Sequence, residues 1–344
     1  MSSSCISTTA TATDHGEALI TAVHTDIIES HILNRLDGPT LAATSCASAQ
    51  LLSLCNHDHL WKDICNSTWP STADHRARAI ISTFPSGHKS FYYDAFPALQ
   101  HRSTGTRDRR RDVSDTPELI SAVDIYCDDK LICSRVLVTE TTSTWALCTP
   151  LRLDLLDPKE LVPAPPLKLD VGGACASPAE ERLRVSWILI DPAKRRAVSA
   201  ASREAMVARR HWLTGDTQLR FAVVAADARG GGEMVECAVV VRCGVCEGGE
   251  LRVREVSMQV EDMEGRILTG MESLVILQAA MADQRMKSDS ITERKIYEAF
   301  SRMKAQCRER NQRREKILDN VCIATGISIF LAFSMFYLST LRFY

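Results

Sequence analysis

The stretch HILNRLDGPTLAATSCAS, residues 31–48, joins two short apolar runs through an Asp-Gly-Pro break. Around it, Ile28, Ile32 and Leu36 are spaced by four, which predicts one apolar face of a helix. Glycine is favoured just past a helix end and proline cannot continue a helix, so the break predicts the end of that helix, with Thr40 as the cap of the next. No arrangement of residues in the stretch is suited to catalysis. On physical grounds it is either the core of a helical domain or a surface that holds another protein.

The helical pattern covers residues 20–70 and follows a polar segment, residues 1–19. That segment is rich in serine, threonine and alanine and lacks the apolar stretch of a secretory signal, so we predict that it is disordered. A helical unit of roughly 50 residues rarely buries its own apolar surface well. Either a partner or the helical extension that we predict at the start of residues 71–117 would cover the remainder. The extension ends in a charged linker, where RDRRR at 107–111 is better explained as a solvated segment than as a nuclear-localisation or nucleic-acid patch.

The period of the apolar pattern changes to two between residues 118 and 282, as in the alternating LRVSWILID at 183–191. Glycine-rich and Asp-Pro turn signals separate the runs. In LRVREVSMQVED, residues 251–262, the phase slips at Arg254-Glu255, which predicts a β-bulge. Many short strands with this punctuation are typical of an antiparallel sandwich or barrel.

The C-terminal part of the chain predicts a basic amphipathic helix over 283–319 and a membrane helix over 320–341. The latter stretch has no charged residue, and as a helix it spans roughly 33 Å, enough to cross the hydrocarbon core of a bilayer. Six basic residues in KAQCRERNQRREK, residues 304–316, flank it on one side, so the positive-inside rule predicts that the preceding chain is cytosolic. We expect the membrane to be an endomembrane. The alternative is a buried C-terminal helix in a soluble protein of the cytoplasm or nucleus.

The composition excludes several classes of function. The net charge of the 344 residues is −2, which implies no general attraction to nucleic acid. Thirteen cysteines, odd in number and without framework spacing, indicate a reducing compartment. Cys243 and Cys246 form a lone CxxC, which is better explained as a hairpin turn than as a zinc site. The sequence therefore predicts a binding protein that is not an enzyme and has no cofactor and no metal.

Residues 23–65 contain a series of spaced short motifs: Asp26-Ile27-Ile28, Ile32-Leu33, Arg35-Leu36, Leu41, Cys46-Ala47-Ser48 and Leu60-Trp61. In this pattern they resemble an F-box, and their sequence is similar to that of a plant subgroup of the family. A weaker resemblance continues through 185–201 and 209–221. Val23-His24 stands where Leu-Pro is usual, and one extra residue lies between Ile28 and Arg35 relative to the commonest spacing.

The resemblance implies a substrate receptor of a Skp–cullin–F-box (SCF) ubiquitin ligase, with an α+β fold: an N-terminal helical F-box, an antiparallel β-sandwich-like domain and a C-terminal transmembrane helix. The F-box would bind the Skp-type adaptor, the β-rich domain would bind a client protein, and other subunits would transfer ubiquitin. The implied adaptor-facing or supporting residues are Ile27, Ile28, Ile32, Leu33, Leu36, Leu41 and Trp61. One alternative is a membrane-surface β-sandwich that binds lipid or glycan and whose N-terminal helices are structural. Another is an enzyme with an unrecognised site.

Overall fold

The computed structural model describes residues 24–98, 116–164, 182–210, 213–229, 233–245, 251–285 and 289–341. The predictions of a disordered segment at residues 1–19 and of a basic linker at 107–111 lie outside the described residues, as does Cys246 of the CxxC pair. The helices of the described part are α1 (Thr25–Ile27), α2 (Gly38–Thr44), α3 (Ala49–Cys55), α4 (Asp58–Thr68), α5 (His75–Ile81), α6 (Gly87–Asp94), α7 (Thr144–Cys148), α8 (Gly270–Ala282) and α9 (Ser290–Leu341).

The first helical segment differs from the regular helix that the spacing of four predicts. α1 continues into a π-helical turn, Ile28–Ile32, and then into a 3₁₀ turn, Leu33–Arg35. The amide of Leu33 donates to the carbonyl of Ile28, five residues earlier. A π turn accommodates one more residue than an α turn, and it lies where the sequence has one residue more than the common F-box spacing.

The Asp-Gly-Pro break works differently from the prediction. Asp37, and not Thr40, is the N-cap of α2, because its carboxylate accepts a hydrogen bond of 3.0 Å from the amide of Thr40. This hydrogen bonding lowers the pKa of Asp37. Gly38 has an ordinary backbone conformation and is needed for space, since a Cβ there would lie 2.2 Å from the ring of Tyr92.

All the strand pairings of the described residues are antiparallel, and they form two sheets. One sheet has four strands in the order β2-β1-β5-β6, and the other has the order β3-β10-β9-β8-β7, with β4 also paired to β10. The predicted bulge in β10 is confirmed, because the register with β9 shifts between Val253 and Glu255. The strands are β1 (Glu118–Cys127), β2 (Lys130–Glu140), β3 (Arg152–Asp154), β4 (Val162–Pro163), β5 (Leu183–Asp191), β6 (Arg196–Ser199), β7 (Val207–Arg210), β8 (Thr217–Ala226), β9 (Met234–Val245) and β10 (Leu251–Glu261).

The four-stranded sheet is covered on both faces. Side chains alternate across a strand, so Trp187 and Leu189 of β5 join a buried cluster with the second sheet and α8. Ile188 and Ile190 of the same strand point the other way, into a cluster made with the N-terminal helices. The helical extension and the sheet therefore cover apolar surface of the N-terminal helices, and the class is α+β, as predicted.

α9 is one continuous helix of 52 residues, Ser290–Leu341. It contains the whole of the predicted segment 320–341, and the predicted amphipathic helix is present from residue 290 rather than 283. Its first part packs on the second sheet through Phe300, which is 1% exposed. Met303, three residues further along the helix, is 45% exposed and does not continue this contact. Lys304 faces the sheet instead, because it is held between two carboxylates. Within the described residues α9 is the one helix long and apolar enough to cross a membrane, and its most apolar stretch is unburied.

Candidate functional site

The seven residues of the predicted docking set divide by burial. Four of them are at most 3% exposed and form the interior of the helical layer, which comprises α1 to α6: Ile28, Leu33, Leu41 and Trp61. Leu36 is half-buried against them. Ile27 and Ile32 are each 50% exposed. Two large aliphatic side chains of the set are thus open to a partner.

The π turn explains this division. Ile28 and Leu33, five residues apart, are both buried, and Ile27 and Ile32, also five apart, are both exposed. A regular helix would have grouped residues three or four apart on one face. The spacing of four residues between Ile28 and Ile32 predicts that both lie on the same helix face. Sequence reasoning alone therefore does not show that one isoleucine is buried and the other exposed.

Trp61 supports the layer from inside. Its indole N–H donates a hydrogen bond of 2.7 Å to the carbonyl of Cys55, so the buried polar atom is satisfied. Its ring packs against those of Tyr92 and Tyr93, with centroids 5.3 and 5.7 Å away. Trp61 therefore fixes α4 against the end of α3 and against α6.

Asp58, one turn before Trp61, also fastens α4 to α6. Its carboxylate accepts a hydrogen bond of 2.7 Å from the amide of His88 and lies 2.9 Å from Nδ1 of the same residue. Gly87 adopts a φ of +55°, and a Cβ there would lie 2.2 Å from Asp58. The close approach thus requires glycine for both conformation and space.

Two more large side chains of the helical layer are exposed and were missed by the pattern. Leu52 is 45% exposed and Tyr93 is 43% exposed. Leu52 follows the buried Leu51 directly on α3, and two adjacent residues of a helix point to different sides. Tyr93 follows the buried Tyr92 on α6 in the same way, and this adjacency is the signal that could have found them.

A buried carboxylate joins the helical layer to the four-stranded sheet. Asp124 of β1 is fully buried and accepts hydrogen bonds of 2.9 Å from the amide of Ser71, 2.6 Å from the Ser71 hydroxyl and 2.6 Å from the Ser134 hydroxyl. Burial raises the pKa of Asp124, and the three hydrogen bonds oppose that shift. Two of the three donors belong to Ser71 of the helical layer. A specific polar contact therefore sets the position of the helical layer on the sheet.

A cleft of about 850 Å³ lies between the helical layer and the four-stranded sheet. Trp69, Tyr92, Tyr93, Phe96 and Tyr126 contribute aromatic surface to its wall. Burial raises the pKa of both Tyr92 and Tyr126 to about 12, so these phenols stay neutral at physiological pH.

One group of described residues has the ligand atoms for a metal ion. Glu29 of the π turn meets His57 and His59 at the beginning of α4, and their ligand atoms all lie within 4.8 Å of one another. His57 and His59 are two residues apart, but Glu29 lies 28 residues before His57, so no local motif predicts the complete group.

Comparison with known proteins identifies the family. The F-box protein At2g27310 of Arabidopsis thaliana is 42% identical over 329 residues, which cover 91% of this chain and 94% of the relative. The F-box protein At3g44326 of the same plant is 44% identical over 300 residues, 83% of this chain and 80% of the relative. The probable F-box protein At2g36090 is 39% identical over 341 residues, 97% of each chain.

This chain therefore belongs to the family of F-box proteins, as the resemblance of residues 23–65 indicated. Its relatives match it far beyond those residues, so the similarity includes the β-rich part and not the helical layer alone. No protein-family model matches the chain. No solved structure matches it either.

Proposed function

We propose that this protein is a substrate-recognition subunit of an SCF ubiquitin ligase that binds a Skp-type adaptor through residues 20–70. The observation that carries the proposal is the identity of 39–44% with three proteins named as F-box proteins over most of their length. It supports this role over the lipid- or glycan-binding alternative. The protein itself performs no chemistry in this role and brings a client close to the ubiquitin-transferring subunits, which raises the effective concentration of the reacting groups.

Ile27 and Ile32 are the side chains that we place in the adaptor interface. Each is half-exposed, so burying the remaining half of one such side chain against a partner contributes about 1 kcal/mol. Ile28, Leu33, Leu41 and Trp61 act indirectly, because they hold the segment that presents the isoleucines. Leu36 lies at the boundary between the two sets.

The β-rich residues 118–282 form the client-binding part in this proposal, with the two sheets packed as a sandwich around their shared buried cluster. Because the helical layer is joined to the first sheet through Ser71 and Asp124, the adaptor and the client would be held in one defined orientation. A fixed orientation favours transfer to lysines within a limited region of the client.

We further propose that residues 320–341 anchor the protein in an endomembrane, with its other parts in the cytosol. The apolar stretch of α9 is exposed, which supports an anchor over the alternative of a buried core helix. Residues 309–319 separate the packed part of α9 from this stretch and rise about 16 Å as a helix. Clients at or near the same membrane surface would therefore be within reach.

Binding to purified Skp-type adaptor tests the receptor function. We expect the full chain to bind, and Ile27→Asp with Ile32→Asp to lose binding by at least tenfold, because a charge is then buried against an apolar partner. Leu213→Asp is the matched control, since Leu213 is 71% exposed and lies outside the helical layer. Failure of the unmodified chain to bind, or equal binding by the double variant, would contradict the proposal.

A further inference from the structure

A histidine pair and a glutamate meet on the surface of the helical layer. Nδ1 of His57 lies 2.6 Å from Oε1 of Glu29, and Nε2 of His59 lies 3.0 Å from the same oxygen. The centroids of the two imidazoles are 5.8 Å apart. One carboxylate oxygen thus stands between two ring nitrogens.

Two elements of the backbone, the start of α4 and the π turn, position these side chains. His57 is the N-cap residue of α4 and His59 lies in its first turn, while Glu29 belongs to the π turn. Asp58, between the histidines, is turned away to bind His88 on α6. The beginning of α4, which presents the two imidazoles, is therefore anchored independently of Glu29.

The donor set is that of a transition-metal site with an open position. Two imidazoles and one carboxylate hold zinc in many proteins, with water or another group as the fourth ligand. Magnesium and calcium prefer oxygen ligands alone. The exposed fractions of the side chains of His57, His59 and Glu29 are 45%, 58% and 21%, so an ion in solution can reach them.

The geometry needs a small adjustment to admit the ion. Zinc lies about 2.0–2.2 Å from nitrogen and oxygen ligands, which places tetrahedral donors about 3.3 Å apart. The present separations of 2.6 and 3.0 Å must therefore increase by about 0.7 and 0.3 Å respectively. Partly exposed side chains can make that movement by small rotations about their χ angles.

We propose that Glu29, His57 and His59 form a binding site for zinc or a similar transition-metal ion. The ion would join the π turn to α4 across 28 residues of sequence. It would thereby stabilise the segment that presents Ile27 and Ile32.

The test uses the full chain in detergent micelles after removal of metal with a chelator. Thermal unfolding and calorimetric titration are followed with ZnCl₂, and with MgCl₂ as the hard-cation comparison. His59→Gln removes one ligand from a largely exposed position. His75→Gln is the matched control, because His75 is 88% exposed and contacts the single carboxylate of Asp74.

We expect zinc to raise the unfolding temperature of the unmodified chain and of His75→Gln by several degrees, as ligand binding to the folded state requires, while magnesium has no effect. For His59→Gln we expect affinity for zinc at least tenfold lower. Zinc bound by exposed thiols such as Cys46 and Cys148 is common to all three proteins, so the difference between variants reports the site.

Glu29→Gln gives a second measurement that does not depend on the histidines. It keeps the shape of the side chain and removes the charged ligand, and we expect the same loss of zinc affinity. Equal titration curves for the unmodified chain, His59→Gln and Glu29→Gln would overturn the proposal, whatever the total amount of zinc bound.

Discussion

At the scale of single residues, Gly38 shows how one missing side chain positions two helices. Tyr92 of α6 occupies the space next to its Cα, and the ring of Tyr92 contacts those of Trp61, Trp69 and Phe96 at centroid distances of 5.3–5.6 Å. An aromatic ring enclosed in this way has little room to move. α2 can therefore approach α6 closely because residue 38 is glycine.

Gly38→Ala should destabilise the helical layer by about 1–3 kcal/mol, because the added methyl group overlaps the ring of Tyr92. Thermal unfolding would show the loss as a lower midpoint. The control is Gly326→Ala, where a Cβ meets no atom within 4 Å. A midpoint unchanged by Gly38→Ala would contradict the tight approach.

Glu272, in the first turn of α8, has a pKa that links stability to pH. Burial alone would raise this pKa, but hydrogen bonds from Thr269 and the charges of Arg266 and Arg229 lower it to about 2, from an ordinary value of 4.5. A carboxyl group with a lowered pKa stabilises the fold above its unfolded pKa, and this contribution is lost as the pH falls.

We therefore expect the advantage of the unmodified chain over Glu272→Gln to be about 1–2 kcal/mol near pH 6 and to decrease as the pH falls from about 4.5 towards 2. Unfolding temperatures of both proteins across this range measure the difference. The glutamine variant keeps a side chain that can still reach back to the cap, so the charge is what is tested. A difference that is independent of pH would be evidence against the assignment.

At the scale of elements, α9 is attached to the second sheet by a cluster of four charges. Arg220 on β8 and Lys304 on α9 each contact both Glu236 on β9 and Glu261 on β10, at 2.6–2.9 Å. Burial alone would raise the pKa of Glu261, but the two cations lower it. Each carboxylate thus has two cationic partners, which makes burial of the cluster tolerable.

Lys304→Ala should loosen the packing of α9, because it leaves two buried carboxylates with one cation, at a cost of about 3–5 kcal/mol. Faster hydrogen exchange over residues 290–308 and a lower unfolding temperature are the expected results. Arg302→Ala serves for comparison, since Arg302 is 75% exposed and its contact with Glu298 is 3.8 Å long. Equal exchange in the two variants would show that the cluster does not hold the helix.

At the scale of the whole molecule, the fold places three layers in sequence: the helical layer, the four-stranded sheet and the second sheet with α8 and α9. Both faces of β1 and β5 are buried, one in each apolar cluster. The proposed adaptor surface and the proposed membrane helix belong to different layers, so either can be removed without disturbing the other directly.

Deletion of residues 318–344 should release the protein from membranes and leave adaptor binding intact. The deleted part contains the apolar stretch of α9, and none of the described residues that pack on the second sheet lies within it. Cell fractionation measures the first result and adaptor pull-down the second. Membrane association that survives the deletion would contradict the proposed anchor.

The sequence by itself determined the kind of most elements and much of their order. It was wrong for α7 and α8, two helices inside the region where strands were predicted. Apolar residues recur about every four positions in the N-terminal helical region and every two in the strands, and this change separates the two regions. The phase slip at Arg254-Glu255 locates the bulge of β10. These are local properties, because the side chains of neighbouring residues decide which face of an element is apolar. The F-box pattern in residues 23–65 indicated the family for the same reason.

Only the tertiary structure decided which apolar side chains of the helical layer are exposed. Ile28 and Ile32 look alike in the sequence, yet the π turn buries one and exposes the other. The meeting of Glu29 with His57 and His59, and that of Asp124 with Ser71, likewise join residues far apart in the chain. Such contacts depend on how the helices and sheets pack, and no pattern of neighbouring residues specifies that packing.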